Sequence, residues 1–154
     1  MVPESGALAS KYGIAGRGVL LDAVRSTNSL SEAKTLVRDY KDLARLTEQT
    51  EQIFQSSGRT YLTPGELARI EESPWTQPMF EGTARDRIFK GLVSSEQMNG
   101  RFLSYEMTPQ GKRGIDLFTS NRRFGFDLTT AKSWPAHVNK YQNDYGIILP
   151  LLYR

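Results

Sequence analysis

The segment from Gly114 to Tyr141, GIDLFTSNRRFGFDLTTAKSWPAHVNKY, gathers the side chains of this chain that could carry chemistry. Asp116 and Asp127 each sit inside a short apolar run, one between Ile115 and Leu117, the other between Phe126 and Leu128. Aspartate is disfavoured in strand interiors because its short side chain competes with the backbone ladder. A hairpin turning at Asn121 and Arg122 sets Asp116 opposite Asp127, with both carboxylates on one sheet face. Carboxylates that close repel unless a proton or a divalent cation lies between them. An oxygen-rich, hydrated site is what Mg²⁺ prefers, and such a cation activates water and stabilises charge developing on a phosphodiester. Thr129, two residues beyond Asp127, points to the same face and could hold a water or a phosphate oxygen. Lys132 and Lys140 are the lysines that could orient that water or hold the phosphate. His137 is the only histidine of the chain and could perform acid–base work.

The elements that must position these groups form an α+β pattern. Residues 1–18, rich in Gly, Ser and Ala, read as a linker or disordered start. Residues 19–79 read as a helical N-terminal part. Within it, Ser29 followed by Glu32 marks a helix start, and Ala33, Leu36, Val37, Tyr40, Leu43, Ala44 and Leu46 keep helical spacing. Thr63 with Pro64 opens a second helix. Residues 80–154 read as a core of helix, three strands, helix and strand. TARDRIFKGLVSS, with the element beginning near Gly82, is an amphipathic helix. RFLSYEM, GIDLFT and FGFDLTT are strands, SWPAHVNKYQ is a helix, and YGIILPLLY is a closing strand. Pro150 favours an edge position for that last strand. A central mixed sheet of about four strands, covered by helices, follows.

Composition narrows the chemistry. The chain has 154 residues and no cysteine, so disulfides, thiolate metal sites and cysteine nucleophiles are excluded. A single histidine excludes a multi-histidine zinc site. No apolar run approaches the ~20 residues of a membrane-spanning helix, and the N-terminus lacks the pattern of a signal peptide. The net charge of +3 is modest. Its distribution is not even: Lys112, Arg113, Arg122, Arg123, Lys132, Lys140 and Arg154 all lie in the last third. That suits a polyanionic partner, with Arg113, Arg122, Arg123 and Trp134 as candidate substrate-binding residues.

The order helix, strand, Asp-bearing strand, acid-bearing strand, helix, strand is similar to the core of the PD-(D/E)XK nuclease superfamily, through Asp116 in GIDLF and Asp127 in FDLTT. More narrowly, FDLTT followed by a helix with HVNKY resembles the C-terminal nuclease domains of bacterial contact-dependent inhibition proteins and related polymorphic toxins. The resemblance covers roughly Phe80 to Arg154. It implies an endonuclease toxin that cleaves RNA, most often tRNA, and is exported or surface-delivered within a larger protein to act in the target cell's cytoplasm. It also implies a cognate immunity protein, acidic by charge complementarity, and leaves room for a host factor. Mg²⁺ or another divalent cation is the implied cofactor. Asp116, Asp127 and an acid of the first core helix would be its ligands: Glu81, with Asp86 behind it. The family's lysine position is Thr129 here, which moves that role to Lys132 or Lys140.

Other readings of the same residues stand beside this one. Asp116 and Asp127 could be ion-paired to Arg113, Arg122 or Arg123. His137 with a lysine could serve a metal-independent RNase, with Thr129 or Tyr141 supporting the phosphate; a helix at SWPAHVNKYQ favours the metal mechanism over this one. A DNase of the same core, or a binding module without catalysis, are the remaining functions.

Overall fold

The computed structural model describes residues 18–96, 105–109 and 111–153. The reading of residues 1–17 as a linker, and of residues 101–104 as the start of a strand, falls outside them. Five helices and four strands follow in α+β order. They are α1 (18–25), α2 (Leu30–Ser57), α3 (Pro64–Glu72), α4 (Gln77–Ser95), β1 (Tyr105–Met107), β2 (Leu117–Thr119), β3 (Phe124–Thr129), α5 (Trp134–Tyr145) and β4 (Ile147–Leu152).

Local signals set the helix starts. Ser29 caps α2 by accepting from the Glu32 backbone N–H at 3.1 Å, while the Glu32 carboxylate pairs with Arg123 at 2.8 Å. Thr63 and Glu66 cap α3 reciprocally, with Pro64 at its first position. Helix α4 starts at Gln77, earlier than the neighbourhood of Gly82 that apolar spacing indicated. Pro78 lies in its first turn, where a missing N–H costs nothing.

The sheet order is β1-β2-β3-β4. β1 and β3 run antiparallel to β2, and β4 runs parallel to β3 after crossing over through α5. Leu117 pairs with Phe126 and Phe118 with Gly125, which is the register that sets Asp116 across from Asp127. β4 is an edge strand, so Pro150, beside Asp127, removes no ladder hydrogen bond from an interior strand. Strand β2 is shorter than GIDLFT. At its start the Asp116 carboxylate accepts the Leu128 N–H at 2.8 Å, and the Ile115 carbonyl accepts the Thr108 hydroxyl. The ladder stops where side chains take over its partners.

β3 is the centre of the molecule, buried along nearly its whole length. On one side Phe126 meets Tyr40 of α2 and Tyr105 of β1, with ring centroids 6.0 and 5.8 Å apart. Tyr40 is fully buried and donates its hydroxyl to the Pro150 carbonyl at 2.6 Å, tying α2 to β4. On the other side Gly125 lets α5 approach. A Cβ there would lie 3.1 Å from Ile115 and 3.5 Å from the Tyr145 Cβ. One core cluster runs from Leu20 and Leu36 through Phe89 to Phe126 and Leu151, so the N-terminal helices and the sheet are packed as a unit. No helix among the described residues is long and apolar enough to cross a membrane.

Helix α5 ends at Gly146, whose φ of +70° suits glycine. A Cβ at this position would collide with the Arg123 carbonyl and lie 2.8 Å from the Arg122 carbonyl. Strain and clash both fall on the hairpin that aligns the two aspartates. Gly146→Ala is expected to destabilise the fold by about 2 kcal/mol or more. A urea midpoint within error of wild type would refute this.

Candidate functional site

Asp116 and Asp127 open onto one cleft of about 670 Å³, between the first turns of α4 and the exposed side of α5. α4 contributes Asp86, and α5 contributes His137, Lys140 and Tyr141. Thr129 also lines it. Of the residues the sequence offers as catalytic, Asp116, Asp127, Thr129, His137 and Lys140 line this cleft and Lys132 does not.

The acids form a row. Asp116 lies beside both Asp86 and Asp127, and each of the two carboxyls acts on its charge. Lys90 closes one end: its Nζ is 3.0 Å from Asp86 Oδ2 and 3.6 Å from Asp116 Oδ1. His137 closes the other, with Nδ1 bonded to Asp127 Oδ2. Asp127 is 4% exposed, so its partner matters. The partners of the two strand acids are thus Lys90, the Leu128 N–H and His137. Two of the arginines that could have paired with them, Arg122 and Arg123, are engaged elsewhere, and Arg113 is exposed. Arg122 lies over the Phe118 and Tyr145 rings, 4.7 Å from each centroid. Arg123 holds Glu32 and the Ser26 carbonyl.

Burial disfavours the charged form of a carboxyl, and a neighbouring carboxylate adds to the effect. Both act here. Burial, then the Asp116 charge, push Asp86 up to about 7. Burial, then the Asp127 charge, also raise Asp116. Both carboxyls therefore hold a proton to higher pH than a free aspartate does. The hydrogen bond to Asp127 raises His137 against the opposing effect of its burial. Because Nδ1 faces Asp127, Nε2 is the ring nitrogen left to take or give a proton.

The donors suit a hard divalent cation in kind, being carboxylate oxygens. Asp86 Oδ1 is buried without a hydrogen-bond partner among the described residues, a further oxygen open to a ligand. As they stand, no three acid or imidazole groups among the described residues are gathered around one point as a ligand set. A cation would compete with protons on these raised carboxyls, so its binding would strengthen as pH rises.

The remaining residues singled out in the sequence lie outside the cleft. Glu81, the first choice for a helix acid, accepts from Gln77 at 3.0 Å, one turn before Asp86. The helix turns Asp86, not Glu81, toward the strand acids. Lys132 is exposed in the turn before α5, and Arg113 is exposed as well. Trp134 is half-buried at the start of α5, away from the cleft lining. Lys90 was not singled out in the sequence. With Asp86 it forms an i,i+4 pair, which reads as an ordinary helix-surface ion pair. Only the strand packing turns that pair inward.

The raised groups have a defined pH consequence. Asp86 is near 7 folded against 3.8 for a free side chain. Between these values the folded chain holds a proton that the unfolded chain releases, so stability falls as pH rises through the window. His137 acts in the same direction: its stabilisation is complete below the ordinary imidazole value and is lost above its raised one. Wild type is expected to lose stability as pH rises from about 4 through about 7, and Asp86→Asn to remove on the order of 2–4 kcal/mol of that loss. Parallel urea-stability profiles for the two proteins would show that Asp86 is not held protonated.

No family model, curated protein or solved structure matches the chain, so its function is argued from the cleft itself.

Proposed function

We propose that this chain is an endonuclease that hydrolyses a phosphodiester bond in RNA with the help of a divalent cation. The observation that carries the reading is the cross-strand placement of Asp116 and Asp127 at one cleft, joined there by Asp86. Acids at close quarters are costly, the more so where one of them, Asp127, is buried. They would not help a simple binder of phosphates. Perturbed carboxyls lining a cleft are the usual mark of a chemical site. The helix at Trp134–Tyr145 is the form of that segment associated with the metal mechanism.

The cross-strand pair Asp116 and Asp127 would hold the cation, with water completing its shell; when bound it would supply an activated water and charge stabilisation. Lys90 keeps the Asp86–Asp116 pair together. Among the described residues Lys140 is the only lysine or arginine that lines the cleft, which makes it the residue to hold the phosphate. Asp127 fixes the His137 tautomer, leaving Nε2 to exchange a proton with the leaving oxygen.

The resemblance to toxin nuclease domains extends the proposal. The substrate becomes tRNA of a competing cell, and the chain becomes a segment of a larger delivered protein. An acidic immunity protein would cover the basic last third of the sequence.

The Asp127–His137 bond favours a second reading. A histidine oriented by a buried carboxylate is a complete general base, and with Lys140 it could cleave RNA at the 2′-hydroxyl without metal.

Cleavage of total RNA and of plasmid DNA, with Mg²⁺ and with EDTA, tests both. The expected outcome is Mg²⁺-dependent cutting of RNA, reduced on the order of 100-fold or more in Asp116→Asn and Asp127→Ala. Cutting that survives EDTA and Asp116→Asn but is lost in His137→Gln transfers the assignment to the metal-free reading. Plasmid cutting alone would make the chain a DNase. A folded wild type that cuts neither substrate would overturn the nuclease proposal.

A further inference from the structure

The residues singled out in the sequence for holding substrate, Arg113, Arg122, Arg123 and Trp134, do not line the cleft. The cleft has other means. Its floor is acidic, so a phosphate cannot rest there. Its α5 wall carries Lys140 and Tyr141, with the Lys140 Nζ 5.2 Å from the Tyr141 ring centroid. The Tyr141 ring stands edge-on to His137, the centroids 6.4 Å apart and the planes at 87°, and packs against Tyr145 at 6.0 Å. The α4 wall carries no charge before Asp86. It presents Pro78, Met79, Gly82 and Thr83, and Met79 is 57% exposed, so its side chain is open to a ligand. At Gly82 nothing but the Tyr153 hydroxyl comes within 4.0 Å of where a Cβ would be, which leaves that wall open.

We propose that the two walls form a subsite for one unpaired nucleotide: its base lies between Tyr141 and Met79, and its phosphate is held by Lys140. Three observations converge on this. One wall offers an aromatic ring, Tyr141, and the other the apolar side chains of Pro78 and Met79, surfaces on which a base can stack. The lysine lies next to the aromatic face, so phosphate and base are held at adjacent points. The volume of about 670 Å³ is that of a small-ligand pocket, the size class that suits a single nucleotide. The subsite rests on the nuclease reading for its place beside the scissile bond. It selects single-stranded or looped segments, with His137 set between the stacked base and the strand acids.

The test reads binding, not cleavage. Asp127→Asn with EDTA serves as the parent, so that neither proposed mechanism consumes the probe. The probes are a labelled single-stranded oligoribonucleotide, the same strand with abasic sites, and its duplex. Tyr141→Ala and Met79→Ala are each expected to weaken the single strand on the order of tenfold and to leave the abasic strand unchanged. Tyr141→Phe, which keeps the ring, should bind like the parent. Lys140→Ala should weaken both single strands and lower the salt slope by about 0.7, whereas the same change at exposed Lys132 should not. Equal binding of base-bearing and abasic strands, or of single strand and duplex, overturns the subsite. So does parent-like binding by folded Met79→Ala, which lies on the surface and removes no core contact. If wild type cuts nothing but this binding pattern holds, the nuclease reading falls and the subsite stands. If wild type cuts RNA but the variants bind like the parent, the reverse is true.

Discussion

The antiparallel pairing of Leu117 with Phe126 and Phe118 with Gly125 is the constraint on which the cleft depends. It turns two aspartates eleven positions apart in the chain into neighbours on one sheet face. A slip of one residue would move an entire set of side chains to the other face, exchanging Asp127 with Phe126. The hairpin resists that slip at its turn. Arg122 takes a positive φ of 60°, its N–H bonds the Thr119 carbonyl at 2.8 Å, and the Asn121 side chain accepts from the Arg123 N–H. Behind the turn, Gly146 meets the Arg122 and Arg123 carbonyls closely enough to exclude any side chain.

The acids so aligned are an unfavourable burial, and the surroundings answer it group by group. Lys90 stands against Asp86 and Asp116, the Leu128 N–H is given to Asp116, and His137 is bonded to Asp127. These partners come from α4, β3 and α5, so all the elements packed near the strand ends are committed to the same row. What remains after pairing is a row in which burial and neighbouring charge raise both Asp86 and Asp116. A site that keeps a proton near neutrality is poised to exchange it, for a cation or with a substrate.

The scaffold around the row is built for rigidity. Arg85 is buried, makes two hydrogen bonds to Glu51 and lies between the Phe54 and Tyr153 rings. Arg87 joins α4 to Glu66 of α3. These contacts pin α4 to α2 and α3 at the positions immediately before and after Asp86. The position of the helix acid is therefore decided by packing that begins in the N-terminal half, which gives that half a direct role in shaping the cleft.

Much of this architecture was legible in the residues alone. Period-two and period-3.6 patterns mark the strands and helices because side-chain direction follows backbone repeat. Aspartate inside apolar runs betrayed the strand acids, and a hairpin of fixed turn length determined their register. Capping residues marked helix starts at Ser29 and Thr63, where a hydroxyl accepts from a free N–H. What the pattern could not decide was which groups from distant segments would meet. Lys90 and Asp86 read as a helix-surface pair until β2 packs beside them. The last-third arginines read as anion binders until Arg122 stacks on two aromatic rings and Arg123 reaches back to Glu32. The choice of Asp86 over Glu81 is a helix rotation, set by the contacts of Phe89, Val93 and Arg85 with the core and with α2. Local sequence fixes backbone period and turn because those are short-range steric properties. The partner of a buried charge is a long-range property, and only the packed tertiary structure chooses it.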